Sequence, residues 1–220
     1  MILRPDYLER LKNLEGLSFN NFLIKDKRIH YINTNSLGNL YENLTQIDFI
    51  TLYPNLLIGL FESGLIDEKW KDDIGRVKWF LNNKKELKRL QSDEYQKWKV
   101  HCNSLYIKIK SPYVVEYMNL FYSDLLDKYG DKIIYIDVDL LIINLKKVEF
   151  QTKYQIEELN DFNYDTTFIN YFYAEELKKY IKQDEFGEIT TSGFREPKKA
   201  NLEALIKREI RRRKLDNLGI

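Results

Sequence analysis

Two aspartates one residue apart, Asp137 and Asp139, interrupt the apolar stretch from Ile133 to Ile143. Carboxylates are costly to hold among such residues unless a cation or hydrogen bonds compensate. A third acid, Asp48, stands at the end of another apolar run, around Ile47 and Phe49. Acids gathered at strand ends offer hard oxygen ligands for divalent magnesium, with manganese as the alternative ion. An exposed acidic turn has the same local pattern, so the Asp-x-Asp alone selects neither reading.

Three lysines supply the opposite charge. Lys84 and Lys88 are four residues apart and share one helical face. If the chain reverses near Ser92-Asp93, Lys88 lies about 6 Å and Lys84 about 12 Å from the turn, with Lys99 at about 9–10 Å on the returning segment. Three ammonium groups at one level suit a triphosphate. A solvated lysine face is the plainer alternative. His101-Cys102 has no second pair of suitable ligands and reads as packing on a helix. The aromatic runs Phe121-Tyr122 and Phe168–Tyr173 read as core before they read as base-stacking platforms.

The elements that must position these groups follow from periodicity. Tyr7, Leu8, Leu11 and Leu14 recur at helical spacing, and Gly16 supplies a stop. Residues 17–35 look like strands or a hairpin, with an Asn-rich exit from Asn33 to Asn39. An apolar strand ends around Asp48, and a helix follows with Pro54 near its start and Gly64 as terminator. A basic helix over 76–91 and a second through Tyr95, Trp98 and Val100 form a helical hairpin across Gln91-Ser92-Asp93. Ser111-Pro112 opens a helix that ends at Gly130. Two apolar strands then flank Asp137-Val138-Asp139, which predicts a hairpin with carboxylates at its tip. A helix around 174–182, a hairpin at 186–194 and a basic helix from about Asn201 to Lys214 complete the reading. The predicted class is α+β, with helices over one small antiparallel sheet.

Composition sets the outer bounds. The 220 residues are 44% hydrophobic and 31% charged, enough for a sizeable core and too apolar for global disorder. One cysteine, Cys102, excludes an internal disulfide framework and a thiolate-rich zinc site. No apolar run matches a bilayer, and the charged N-terminus lacks a signal region, so a reducing, cytoplasmic compartment is expected. A net charge of +1 argues against holding nucleic acid by overall charge. Basic residues concentrate from Lys69 to Lys99 and from Arg195 to Lys214.

Together these segments resemble the palm and fingers of family B DNA polymerases. That family's first motif, an Asp before Ser/Thr-Leu-Tyr-Pro, stands here as Asp48-Phe49-Ile50-Thr51-Leu52-Tyr53-Pro54. Its second, a Lys followed after three residues by Asn-Ser-x-Tyr-Gly, stands as Lys99 with Asn103-Ser104-Leu105-Tyr106, then Ile107. Its third, Tyr-x-Asp-Thr-Asp-Ser, stands as Tyr135-Ile136-Asp137-Val138-Asp139-Leu140. The order is right, and the basic helix falls between the first two. A looser match to a later Lys-x-Tyr region lies in Lys178-Lys179-Tyr180, Gly187 and Gly193-Phe194-Arg195, and an ordinary helix end fits Lys178–Tyr180 as well. Coverage runs from about Thr45 to Arg195.

The resemblance implies a role for each matching position. Asp48 and Asp137 would be the main ligands of two magnesium ions, with Asp139 in the same cluster and the Phe49 carbonyl as a further ligand. Lys84, Lys88 and Lys99 would bind the triphosphate. Tyr53 would exclude a 2′-hydroxyl, and Asn103 and Tyr106 would form the floor under the nascent base pair. Lys178, Lys179, Tyr180 and Arg195 would support primer-template DNA. The implied layout is an N-terminal segment over 1–47, palm over 48–69, fingers over 70–99, palm again over 100–194 and a basic C-terminal helix over 195–220. Ile107 replaces a glycine, and Val138 and Leu140 replace hydroxyl residues.

Only 47 residues precede Asp48 and 25 follow Arg195, which predicts no proofreading domain and no full thumb. A partner is therefore expected: a further polymerase subunit, a sliding clamp or a single-strand-binding protein. Reduced size and AT-rich composition suggest a bacteriophage or mobile-element origin. The alternatives are a non-catalytic palm-like replisome subunit and a metal-dependent sugar-nucleotide transferase. The latter leaves Lys99, Asn103-Ser104 and the Asp48–Pro54 segment unexplained.

Overall fold

A computed structural model describes residues 3–13, 23–25, 28–33, 37–90, 93–109, 111–147, 149, 159, 162–193, 202–204, 206–208, 211 and 215. Among them are five α-helices of eight residues or more and one eight-stranded sheet. The chain divides into two compact units. One comprises residues 1–29, 49–127 and 157–163, and the other 30–48, 128–156 and 164–220.

The first unit is mainly helical. Helix α1 (Pro5–Lys12) buries Tyr7 and Leu11, at the spacing that predicts it. Tyr7 packs edge-on against Tyr117 and donates its hydroxyl hydrogen to Asp124 at 2.5 Å. Helix α2 (Leu52–Glu62) begins two residues before Pro54, which occupies its first turn, and Gly64 with φ 73° follows its end. Helices α3 (Lys71–Arg89) and α4 (Asp93–Ile109) pack together and on α2. Ring contacts Trp79–Trp98 at 5.6 Å and Phe80–Tyr95 at 6.0 Å set the register of the predicted helical hairpin. Helix α5 (Pro112–Tyr129) starts at the predicted proline and buries Val114, Met118, Phe121, Tyr122 and Leu125.

The second unit carries most of the sheet. Strands β1 (Leu23–Lys25), β2 (Arg28–Ile32), β3 (Leu40–Phe49), β4 (Ile133–Asp137), β5 (Leu140–Ile143), β6 (Tyr164–Glu176), β7 (Lys179–Asp184) and β8 (Ile189–Ser192) lie in the order β1-β2-β4-β5-β3-β6-β7-β8. Among the described residues, β2–β4, β3–β5, β4–β5, β6–β7 and β7–β8 pair antiparallel. Leu44, Tyr135, Ile142, Ile169 and Phe172 form its main apolar cluster. A smaller one joins Leu40, Tyr173, Ile181 and Leu202.

Two expectations are corrected here. Residues 174–182 are not helical: β6 runs to Glu176, turns at Leu177-Lys178 and returns as β7. Ala, Glu, Leu and Lys favour helix, but antiparallel pairing on both sides of β7 overrides that local preference. The sheet is consequently larger than the predicted one. Leu14, Gly16, Gln91, Ser92, Phe194 and Arg195 lie outside the described residues, as does most of the basic C-terminal segment. The buried Phe121, Tyr122, Phe172 and Tyr173 are core, as read from the sequence.

Candidate active site

Strand register brings two of the acids into one row. Leu140 of β5 is paired with Asp48 of β3 on one side and with Asp137 of β4 on the other. Directly opposed residues in an antiparallel pair share a face, so Asp48, Leu140 and Asp137 point the same way. With strands about 4.8 Å apart, the two aspartate backbones are separated by about 10 Å. Asp139 is exposed at the second position of the two-residue turn joining β4 and β5.

That turn stores strain. The favoured two-residue hairpin loops need a positive φ at their first central position, a place suited to glycine or asparagine. Here Val138 occupies it with φ 64°. A β-branched residue in this region costs on the order of 1–3 kcal/mol and persists only where its surroundings over-determine it.

Both acids are held from the side. Gln46, two residues before Asp48 on the same face, is almost fully buried. Its Nε2 donates to Asp48 Oδ2 at 2.5 Å, and its Oε1 accepts from Lys182 Nζ at 2.5 Å. Burial lowers the Lys182 ammonium below its usual range, and the carboxylates of Asp48, Asp184 and Glu188 oppose that shift. On the other side His30 of β2 is paired with Asp137, and its Nδ1 lies 2.8 Å from Asp137 Oδ1. The approach is off the hydrogen-bonding axis, so Asp137 Oδ1 and both imidazole nitrogens are buried without a completed hydrogen bond.

Two tyrosines line the same region. Burial raises the Tyr180 phenol, and the charges of Asp137 and Asp48 raise it further. Burial also raises Tyr135. The Tyr135 ring packs on Tyr180 at 5.5 Å, and its hydroxyl accepts from the Lys178 backbone N–H at 2.8 Å. Lys178, with φ 62°, forms the β6–β7 turn, and its carbonyl accepts from Ser192 Oγ. Lys179 Nζ is engaged by Glu175 at 2.5 Å.

The remaining candidates belong to the first unit. Phe49 is buried, its ring among Phe121, Tyr122 and Phe162. Tyr53 is buried in the first turn of α2, behind Thr51, whose φ of 52° is a second left-handed β-branched residue. Lys84 is half-buried on α3, while Lys88 on α3 and Lys99 on α4 are exposed. Along the hairpin, Lys84 and Lys88 lie about 7.5 and 13.5 Å from Trp79 toward the turn, whereas Lys99 lies one residue past Trp98, away from the turn. The backbone therefore does not bring the three lysines to the one level expected. Asn103 and Tyr106 belong to α4, with side chains outside the described residues. Cys102 is buried, and burial pushes its thiol up to about 11, which suppresses the nucleophilic thiolate.

The donor set fits a magnesium-type ion in chemistry. Asp48 and Asp137 present carboxylate oxygens on one face, and Asp137 Oδ1 is a buried acceptor in want of a partner. Among the described residues no group of three His, Cys, Asp or Glu side chains is gathered closely enough to hold an ion alone. Magnesium typically takes one or two carboxylates and completes its shell with water and substrate phosphate. Sequence reading missed His30, Gln46 and Lys182. Period-two spacing from Asp48 points to Gln46, whereas His30 and Lys182 arrive by pairings that no local pattern encodes.

No family model matches the chain, and no curated protein matches it. Among solved structures, the family B DNA polymerase from the hyperthermophilic archaeon Pyrobaculum calidifontis is similar at 15% identity and a TM-score of 0.41, over 85% of this chain. The chain spans 32% of the length of that polymerase. No described helix is long and apolar enough to cross a membrane.

Proposed function

We propose that this protein is a template-directed DNA polymerase that transfers a deoxynucleotide to a primer 3′-hydroxyl. The observation that carries the reading is the placement of Asp48 and Asp137 in one row and on one face, both in register with Leu140. The sequence order of the three polymerase-like motifs supplies the class of reaction.

Bound magnesium would lower the pKa of the primer hydroxyl and stabilise the leaving pyrophosphate. Asp48 and Asp137 would hold the ions, with Asp139 and the Phe49 carbonyl as further oxygen donors. Gln46 orients the Asp48 carboxylate by donating to Oδ2. Lys84, Lys88 and Lys99 would bind the triphosphate, and Tyr53 would select against a 2′-hydroxyl. Asn103 and Tyr106 would support the new base pair, while Lys178, Lys179, Tyr180 and Arg195 would support the primer-template backbone. A further subunit, clamp or single-strand-binding protein would extend the grip on DNA.

Primer extension with magnesium and deoxynucleoside triphosphates tests the reading. Wild type is expected to extend a primer as its template directs, and Asp48→Asn and Asp137→Asn are each expected to abolish extension. Extension that survives both substitutions would sink the proposal. A non-catalytic DNA-binding subunit is favoured by Val138 and Leu140, which remove hydroxyl groups from the acidic turn. Primer-template binding without extension, unaltered by either substitution, selects that second reading.

A further inference from the structure

We infer that His30 is a positioning residue for Asp137, an inference that rests on the cation-binding reading of the acid pair. His30 is 1% exposed, yet it serves no helix cap, no turn and no other described polar side chain. An apolar residue would fill that place in β2 without leaving ring nitrogens unsatisfied, so the imidazole is a cost to the fold. Among the described residues, the acid it meets is Asp137, whose Oδ1 lies 2.8 Å from Nδ1.

The backbone explains the meeting. His30 and Asp137 are directly opposed in the β2–β4 pair, which places both on the face that carries Asp48 and Leu140. The turn after Asp137 is strained at Val138, so the end of β4 is held by its surroundings and not by local preference. A buried imidazole against Oδ1 restricts the Asp137 rotamer and so fixes the direction in which the carboxylate is presented to a cation. Such outer groups orient ligating side chains, and their loss typically lowers metal affinity about 10–100-fold. Hydrogen bonds of this kind are often misaligned before the ligand binds and tighten afterwards. The off-axis contact of His30 fits that behaviour.

Manganese binding to the full-length chain, followed by the electron paramagnetic resonance signal of free Mn2+, tests the inference apart from catalysis. The variants are His30→Asn, which can keep a donor near the Nδ1 position, His30→Gln, which moves it toward Nε2, and His30→Phe, which fills the space without one. Asp137→Asn reports the underlying site. Phe is expected to weaken Mn2+ binding about 10–100-fold and to raise the metal requirement of primer extension in parallel, with nucleotide KM at saturating metal little changed. Asn is expected to restore most of the affinity and Gln less. Asp137→Asn that abolishes binding, with His30→Asn and His30→Gln both equal to wild type, overturns the role of His30 and leaves the polymerase reading standing. Unchanged binding in Asp137→Asn overturns the cation site and the inference with it. The Asn–Gln comparison keeps the test decisive if the Phe variant does not fold.

Discussion

At Val138 the backbone takes a conformation that its own side chain resists, and the reason is the pairing on either side. Asp137 and Leu140 must remain opposed for the β4–β5 hairpin to close, leaving two residues to reverse the chain. In the sequence Val138 is legible only as the loss of a hydroxyl residue, because propensity cannot reveal a φ imposed by neighbouring strands. The strain leads to an expected outcome. Val138→Gly should raise stability by about 1 kcal/mol, the relief of left-handed strain exceeding the extra entropy of glycine in the unfolded chain. Thermal unfolding should show a midpoint about 2–4 °C higher, and an unchanged or lower midpoint would count against strain at this turn. Asp48 and Asp137 were legible because acids at the ends of apolar runs are costly and conspicuous. His30 was not, since an alternating Arg-Ile-His-Tyr-Ile segment reads equally well with the histidine on either face.

Among the elements, those with strong periodicity were readable and those made by tertiary pairing were not. Helices α3, α4 and α5 and the β4–β5 hairpin follow from spacing, capping and apolar runs. The β6–β7 hairpin was hidden by residues that favour helix, and its turn is fixed from a distance. Tyr135 accepts from the Lys178 N–H, and Ser192 donates to the Lys178 carbonyl. Gly193 completes the arrangement: it has φ 71°, and a Cβ there would lie 2.4 Å from the Lys178 carbonyl oxygen. Gly193→Ala must therefore displace backbone, not a pliable side chain. The expected cost is about 2–4 kcal/mol in denaturant unfolding, through a clash added to an unfavourable φ. A loss below about 0.5 kcal/mol, the range of ordinary surface substitutions, would show that the β7–β8 edge yields easily.

For the molecule as a whole, buried and half-buried phenols set the alkaline limit. Burial raises the hydroxyls of Tyr7, Tyr31, Tyr135 and Tyr180 above the ordinary 10.0, and Asp124 assists at Tyr7. The unfolded chain loses these protons near pH 10 while the folded chain keeps them. Their contribution is therefore fully present below pH 10.0 and is lost as pH rises toward the raised folded values. Lys182 acts with the opposite sign: its lowered folded value makes the charged form a burden, relieved as pH climbs toward 10.5. Four phenols against one ammonium predict a net loss. Thermal midpoints measured from pH 8 to 11 should fall above pH 10, with tyrosinate absorbance appearing in step with unfolding. Phenols that ionise freely before the protein melts would contradict this.

The row of Asp48, Leu140 and Asp137 also dictates an order of assembly. The β4–β5 hairpin is local, and such hairpins close in about 1–10 μs. Strand β3 is separated from β5 by roughly 90 residues of chain, so its docking requires closure of a long loop. The two carboxylates therefore meet only when β3 arrives, late in folding. A cation that needs both acids cannot act as the seed of the fold and must enter a scaffold already formed. In hydrogen exchange, the amide protection shared by β3 and β5 would then mark the unit whose opening dismantles the acid pair.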